Sequence, residues 1–290
     1  MTKYESLNNK SMQKKAIFYM TISALGFALL NVLVKQSSHF NVNQVVFFRS
    51  IGTLFFTVPF LLKNKINFLG NKKGLLIARG VVGCIAMTLF FMSLNHLSMG
   101  SAVSIRYISP IFAAFFAIFL LKEHIKYFQW ICFFIAFLGV VILKGFDNNI
   151  DTLGLLYALL SAVFTGLVYI IIRKIGSHDH PIVVVNYFMI ISAIIGGVLS
   201  INHWTNPQGM EWVLLLSLGI FGYFGQLYMT KALQNAEINQ VAPLKYIEVV
   251  FTMIIGAIWL QEIYTLISLL GIILIILGLT LNIVLKTKLK

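Results

Sequence analysis

Apolar residues in this chain come in long, nearly unbroken stretches. They lack the three-to-four spacing of a surface helix and the alternation of a half-buried strand. The stretches fall at 16–34, 44–62, 75–94, 101–121, 127–143, 153–172, 182–201, 212–230, 240–260 and 265–285. A helix crossing the hydrocarbon core of a bilayer needs about 20 mostly apolar residues, so each stretch predicts one crossing. The second is interrupted by Arg49 and the fifth is short, and no linking segment is long enough for a soluble domain. The expectation is an all-α integral membrane protein with ten transmembrane helices.

Composition points the same way. Hydrophobic residues make up 59% of the 290 positions, charged residues 11%, and the mean hydropathy is +0.90. Soluble domains carry charges at about a quarter of their positions. So much apolar surface cannot be hidden from water inside one fold, which makes lipid the expected solvent.

The net charge is +13, a value that by itself would raise the question of nucleic acid. Position argues against it, because most Lys and Arg lie between the apolar stretches and no basic face carries aromatic platforms. With the N-terminus inside, the inner segments hold 16 basic residues: Lys3, Lys10, Lys14, Lys15, Lys63, Lys65, Lys72, Lys73, Lys122, Lys126, Arg173, Lys174, Lys231, Lys286, Lys288 and Lys290. The outer segments hold 2, Lys35 and Lys144. Such asymmetry orients a membrane protein, and a missed or invented helix would scramble it downstream. Both termini are therefore expected in the cytoplasm, with the chain in the cytoplasmic (inner) membrane. The stretch after Lys15 lacks a small-residue cleavage site, which predicts a retained first helix rather than a signal peptide. Cys84 and Cys132 lie inside apolar stretches and predict no disulfide framework.

The two halves align on one another at an offset of 138 to 139: Ser23 to Lys35 on Ser161 to Arg173, Gly80/Gly83/Ala86 on Gly219/Gly222/Gly225, Arg106-Tyr107 on Lys245-Tyr246, Glu123 on Glu262 and Gly139 on Gly278. Five crossings per copy turn the second copy upside down, giving an inverted repeat of the kind whose halves rock around a midplane site. The expected organisation is a polar tail at 1–14, a first five-helix repeat at 15–145 and a second, inverted one at 152–286.

With this repeat, Arg49 in Val46-Phe47-Phe48-Arg49-Ser50, the run Ser109-Pro110-Ile111-Phe112 and the acids Glu123 and Glu262, the chain resembles the drug/metabolite transporter superfamily in its ten-helix EamA-type branch. The resemblance covers about residues 15 to 286. It implies a carrier whose cavity is lined by crossings one to four and six to nine. Tyr187 stands where Arg49 would repeat and Val249 where Pro110 would, so those two roles belong to the first half.

Four basic residues lie within the stretches: Arg49, Arg79, Arg106 and Lys245. A charge near the bilayer centre costs several kcal/mol unless solvated or paired, so such residues face cavities. Arg79 is near the inner end of its helix and is expected to snorkel to headgroups. Arg106 and Lys245 each lie about 9 Å into their helices, on opposite sides of the midplane, and are the expected contacts for an anionic group. The competing reading pairs Lys245 with Glu248, one turn along the same face, and leaves Arg106 on backbone carbonyls. Glu248 either couples transport to protons or neutralises Lys245. Tyr107, Tyr246, Asn31, Asn186 and Arg49 complete the candidate substrate-binding set. The glycine ridges are expected to serve close helix packing. Pro110 and Pro243 are expected to interrupt their helices, and Glu123 and Glu262 to sit on the helix N-termini that follow them.

The function expected is secondary transport of a small polar metabolite with an anionic or zwitterionic group, with protons or a counter-substrate as co-partners and a monomer or homodimer as the assembly. An alternative is an exporter of amino acids or cationic, amphipathic compounds that uses Glu248 for proton coupling. A membrane-embedded enzyme lacks an H-E-x-x-H, a G-x-S-x-G or paired acids within the stretches. A scaffold would not need basic residues at matched depths. No G-x-x-x-x-G-K-[ST] loop is present for a primary pump, and no metal or organic cofactor is expected.

Overall fold

A computed structural model describes residues 3–121, 127–146, 151–235 and 246–288. Among these residues the structure is helical, with no strand. The helices are α1 (Lys3–Gln36), α2 (Val42–Lys63), α3 (Lys73–His96), α4 (Met99–Arg106), α5 (Ser109–Leu121), α6 (Tyr127–Phe146), α7 (Thr152–Ile175), α8 (Pro181–Ser200), α9 (Glu211–Asn235), α10 (Ile247–Trp259) and α11 (Leu266–Lys288). Seven helical stretches are long and apolar enough to cross a bilayer, α4 and α5 counting as one, and three shorter apolar helices bring the crossings to ten. Arg49 does not break the second, which runs 22 residues without interruption. α1 begins well before the apolar stretch, since nothing between Lys3 and Lys15 is Gly or Pro and the helix can continue into water.

Side-chain bonds tie together helix ends that an alternating path would place on one face. Opposite the N-terminus, Gln44 Nε2 donates to the Thr205 carbonyl at 2.7 Å, His39 meets Glu211 at 3.0 Å and His96 meets Asp151 at 2.5 Å. Asp151 also caps α7, accepting from Leu153 N at 3.1 Å. On the face of the N-terminus, Asp179 accepts from the backbone N–H groups of Asn71 and Lys72, and Tyr187 donates to the Leu69 carbonyl at 2.9 Å.

Packing follows the inverted repeat contact for contact. α1 packs on α9 as α7 packs on α3, α1 on α10 as α7 on α5, and α2 on α8 and α6 on α11 across the pseudo-axis. The close crossings are made by glycine. An added Cβ on Gly219 would lie 2.3 Å from the Gly52 Cα, and one on Gly26 would lie 3.0 Å from the Gly225 N. Gly139 and Gly278, equivalent in the two repeats, both sit at the α6–α11 crossing, where added Cβ atoms would fall 2.6 Å from the carbonyls of Gly271 and Cys132. The outward surface is apolar, with Phe55, Phe119, Val198 and Ile258 all exposed as lipid-facing residues would be.

Candidate functional site

The fourth crossing is broken between α4 and α5, with Pro110 at the second position of α5. There proline's missing N–H is no loss. The break leaves Arg106 and Tyr107 at the inner end of α4, about 10 Å from its start at Met99. Both point at Glu248, in the first turn of α10 in the other repeat.

Glu248 is 3% exposed and holds the centre of the polar cluster. Its Oε1 accepts from Arg106 Nη2 at 3.0 Å and from Asn31 Nδ2 at 3.4 Å, and its Oε2 accepts from the Tyr107 hydroxyl at 2.5 Å. Arg106 also covers the Phe90 ring at 3.6 Å from its centroid. Tyr246 stands edge-on to Tyr107 at 5.5 Å, so it braces that ring. The sequence offered Lys245 as the partner of Glu248 because the two are one turn apart. Lys245 lies outside the described residues, as do Pro243 and Glu123, and the ion pair found is the one with Arg106.

Glu248, Arg106, Tyr107, Asn31 and Phe90 form part of the wall of a cavity of about 160 Å³ that runs from the middle of the bundle toward the face of the N-terminus, whereas Tyr246 does not line it. One face of α3 supplies Arg79, Gly83, Ala86 and Phe90; α1 supplies Ser23, Phe27 and Asn31; α2 supplies Arg49, α7 Tyr169, α8 Phe188 and α9 Gln226. Neither α6 nor α11 contributes a lining residue.

Arg49 and Arg79 are each 5% exposed, and among the described residues neither forms an ion pair. Arg79 does not snorkel to headgroups as expected. Its guanidinium lies 4.3 Å from the centroid of the Phe188 ring, and that of Arg49 approaches the same ring at 5.9 Å. Arg49 also reaches the Met87 thioether and lies 5.7 Å from the Phe91 ring. Arg49 Nε, Arg79 Nε and Nη1, and Ser109 Oγ have no hydrogen-bond partner among the described residues. The glycine ridges serve these side chains as well as helix packing. A Cβ on Gly83 would lie 2.0 Å from Arg79 Nη1, and one on Gly222 would lie 3.3 Å from Arg49 Nε. The sequence singles out Arg79 but sends it to the headgroups; the signal for its place in the cavity wall is Gly83 four residues on, which opens space on one helix face for a large side chain.

Asn186 is not in the cavity wall. It is 1% exposed and accepts a hydrogen bond from the Thr57 hydroxyl at 3.0 Å, fastening α8 to α2.

On the face opposite the N-terminus, Glu262 ties α1 to the start of α4. It accepts from Lys35 Nζ at 2.5 Å, from Met99 N at 3.0 Å and from the Tyr264 hydroxyl at 2.5 Å. Its carboxylate therefore sits on a helix N-terminus as expected, but on that of α4 in the other repeat rather than that of the helix following it. Burial first, and then the bonded Glu262, push the Tyr264 phenol well above its ordinary value, so it stays a donor. Among the described residues no cluster of His, Cys, Asp and Glu is fit to hold a metal.

The chain matches the EamA-like transporter family over residues 14–144 and again over 152–284. It is 28% identical over 244 residues to the pseudopaline exporter of Pseudomonas aeruginosa, covering 82% of this chain and 85% of that protein. It is 31% identical over 271 residues to solute carrier family 35 member G1 of Homo sapiens, covering 86% and 73%, and 25% identical over 217 residues to an S-adenosylmethionine uptake transporter of Rickettsia prowazekii, covering 73% and 72%. A solved crystal structure superposes with a TM-score of 0.69 over 93% of this chain and 96% of its own at 15% identity, a likeness of fold. The relatives are transporters rather than enzymes, and a multi-pass membrane fold around a largely apolar cavity with a few charged side chains suits the transport of small molecules. This chain belongs to the EamA-like transporter family.

Proposed function

We propose that this protein is a secondary carrier that moves a small metabolite with an anionic or zwitterionic group across the cytoplasmic membrane by alternating access between its two repeats. The observation that carries this reading is the charge of the cavity wall. Arg49, Arg79 and Arg106 face the single carboxylate of Glu248, and three positive charges less one negative leave +2 among the described lining residues. In a bundle surrounded by hydrocarbon, that excess favours a ligand of opposite sign. The volume of about 160 Å³ is close to that of a cavity that holds benzene, so the cargo is small. A helix tie at Glu262 on one face and a cavity reaching toward the other are what one end state of an alternating carrier requires.

The alternative, export of cations with Glu248 as the proton carrier, draws less support. Glu248 is already held by a guanidinium, a phenol and an amide, so a cationic cargo would compete with Arg106 for it beside two further arginines. The relatives are named both for export and for uptake, and family membership carries no direction of transport. The test is flux of labelled organic anions, amino acids and organic cations in proteoliposomes containing the purified protein. Saturable, protein-dependent flux of an anion or zwitterion is expected. Protein-dependent flux confined to cations overturns the reading.

A further inference from the structure

The cavity charges divide into two groups. Arg106 has its charge met by Glu248 at 3.0 Å and its flank covered by Phe90, so among the described residues the charges at this end of the cavity are balanced. The excess belongs to Arg49 and Arg79. Both are 5% exposed, both lie against the one ring of Phe188, and three of their nitrogens lack an acceptor among the described residues. The quadrupoles of Phe188, shared by both, and of Phe91, 5.7 Å from Arg49, offset only part of the charge of two desolvated guanidinium groups. A buried N–H without a partner is rare in native proteins and calls for an explanation. Glycines at 83 and 222 are what allow the two side chains their positions.

We infer that Arg49 and Arg79, which share the Phe188 ring in the cavity wall, form a subsite for a doubly charged oxyanionic end of the cargo, either a phosphate monoester or a pair of carboxylates. Two guanidinium forks present parallel N–H donors to planar or tetrahedral oxyanions. A monoanion would leave one uncompensated charge in a low-dielectric wall, whereas a dianion neutralises both. The Arg106–Glu248 pair then receives the remainder of the molecule, where a neutral or zwitterionic part suits a matched pair. This inference rests on the anion-carrier reading above and narrows it.

The test measures ligand-dependent thermal stabilisation of the full-length protein in detergent micelles. The probes are succinate, its monoamide succinamate, and glycerol 3-phosphate. Wild type is expected to bind the two dianions at least tenfold more tightly than succinamate, and Arg49→Met or Arg79→Met to reduce that preference to about threefold or less. Arg79→Lys is expected to restore part of it, because it keeps the charge without the fork. Gly83→Ala is expected to weaken it with both arginines still present, which covers the case of a Met variant that fails to fold. Arg106→Lys is expected to keep the preference. Equal binding of succinate and succinamate to wild type overturns the subsite while leaving an anion carrier standing, as does a preference that survives loss of Arg49 and of Arg79. Stabilisation by phosphatidate with none by glycerol 3-phosphate also overturns it, assigning the charge to a lipid headgroup. If no anion binds to wild type, both readings fall together.

Discussion

Arg106 and Glu248 lie 142 positions apart in sequence and in opposite repeats, yet Nη2 of one stands 3.0 Å from Oε1 of the other. With Tyr107 and Asn31 on the same carboxylate, this cluster fastens the first repeat to the second inside the membrane. Removing one partner of a buried pair leaves an uncompensated charge, whereas removing both does not. Glu248→Gln or Arg106→Met alone is therefore expected to cost about 3–5 kcal/mol, and the double change to recover most of that loss. Unfolding of the four proteins in detergent checks the cycle. Additive losses would show that the two side chains are not coupled.

Two glycines of the repeated ridges, Gly83 in the first repeat and Gly219 in the second, are expected to fail in different ways. A Cβ at Gly83 meets the end of a long side chain, Arg79 Nη1 at 2.0 Å, and the guanidinium can move aside. A Cβ at Gly219 meets the Gly52 Cα at 2.3 Å, and backbone cannot. Gly219→Ala should cost about 1–3 kcal/mol of stability through overpacking. Gly83→Ala should unfold near the wild-type temperature and lose anion affinity instead. Melting curves and binding isotherms of the two variants separate these outcomes.

Glu262 gathers Lys35, Met99 N and Tyr264 on the face opposite the N-terminus. Glu262→Gln removes the charge from this knot and should open that face more often. A cysteine placed at Ser104, fully buried on α4, should then react faster with an impermeant maleimide applied from the side opposite the N-terminus. An unchanged labelling rate would show that the knot is structural and does not control access.

The 16 basic residues on one set of segments against 2 on the other predict that both termini are cytoplasmic. Single cysteines at the exposed Asn95 and His96 and at 201–206 should label from outside intact cells, and cysteines at 63–74 should not. Labelling of the 63–74 segment in sealed cells would reverse the orientation.

The path of the chain was legible because crossing a bilayer demands a length of apolar sequence, and that demand is written locally. The break before α5 was legible for the same reason, from Pro110 alone. Glu248 stood out as a carboxylate deep in an apolar stretch, but its partner did not. Spacing along a helix points to Lys245, which lies outside the described residues; Arg106 reaches Glu248 from the opposite repeat, and a linear sequence carries no such distance. Arg79 was misread on depth. Six residues from the start of α3, it is within reach of headgroups, and what decides its role is the direction of its side chain toward Phe188 and the room left by Gly83. Asn186 shows the converse, a polar residue at a plausible depth that turns to Thr57 on the neighbouring helix.

The inverted architecture is two-fold in its backbone and unequal in its charges. Tyr187 replaces Arg49 in the second repeat, Leu218 replaces Arg79, and Glu248 answers to Ser109 in the first. A device made of two identical halves would have end states of equal energy, each the mirror of the other across the membrane. Here a half-turn about the pseudo-axis carries guanidinium groups onto a phenol and an aliphatic side chain, and the degeneracy is lifted. On the alternating-access mechanism proposed above, the empty carrier is expected to rest unevenly between its two forms, with a tilt set by where these few charges are solvated, and to open toward the two compartments at different rates even when nothing is bound.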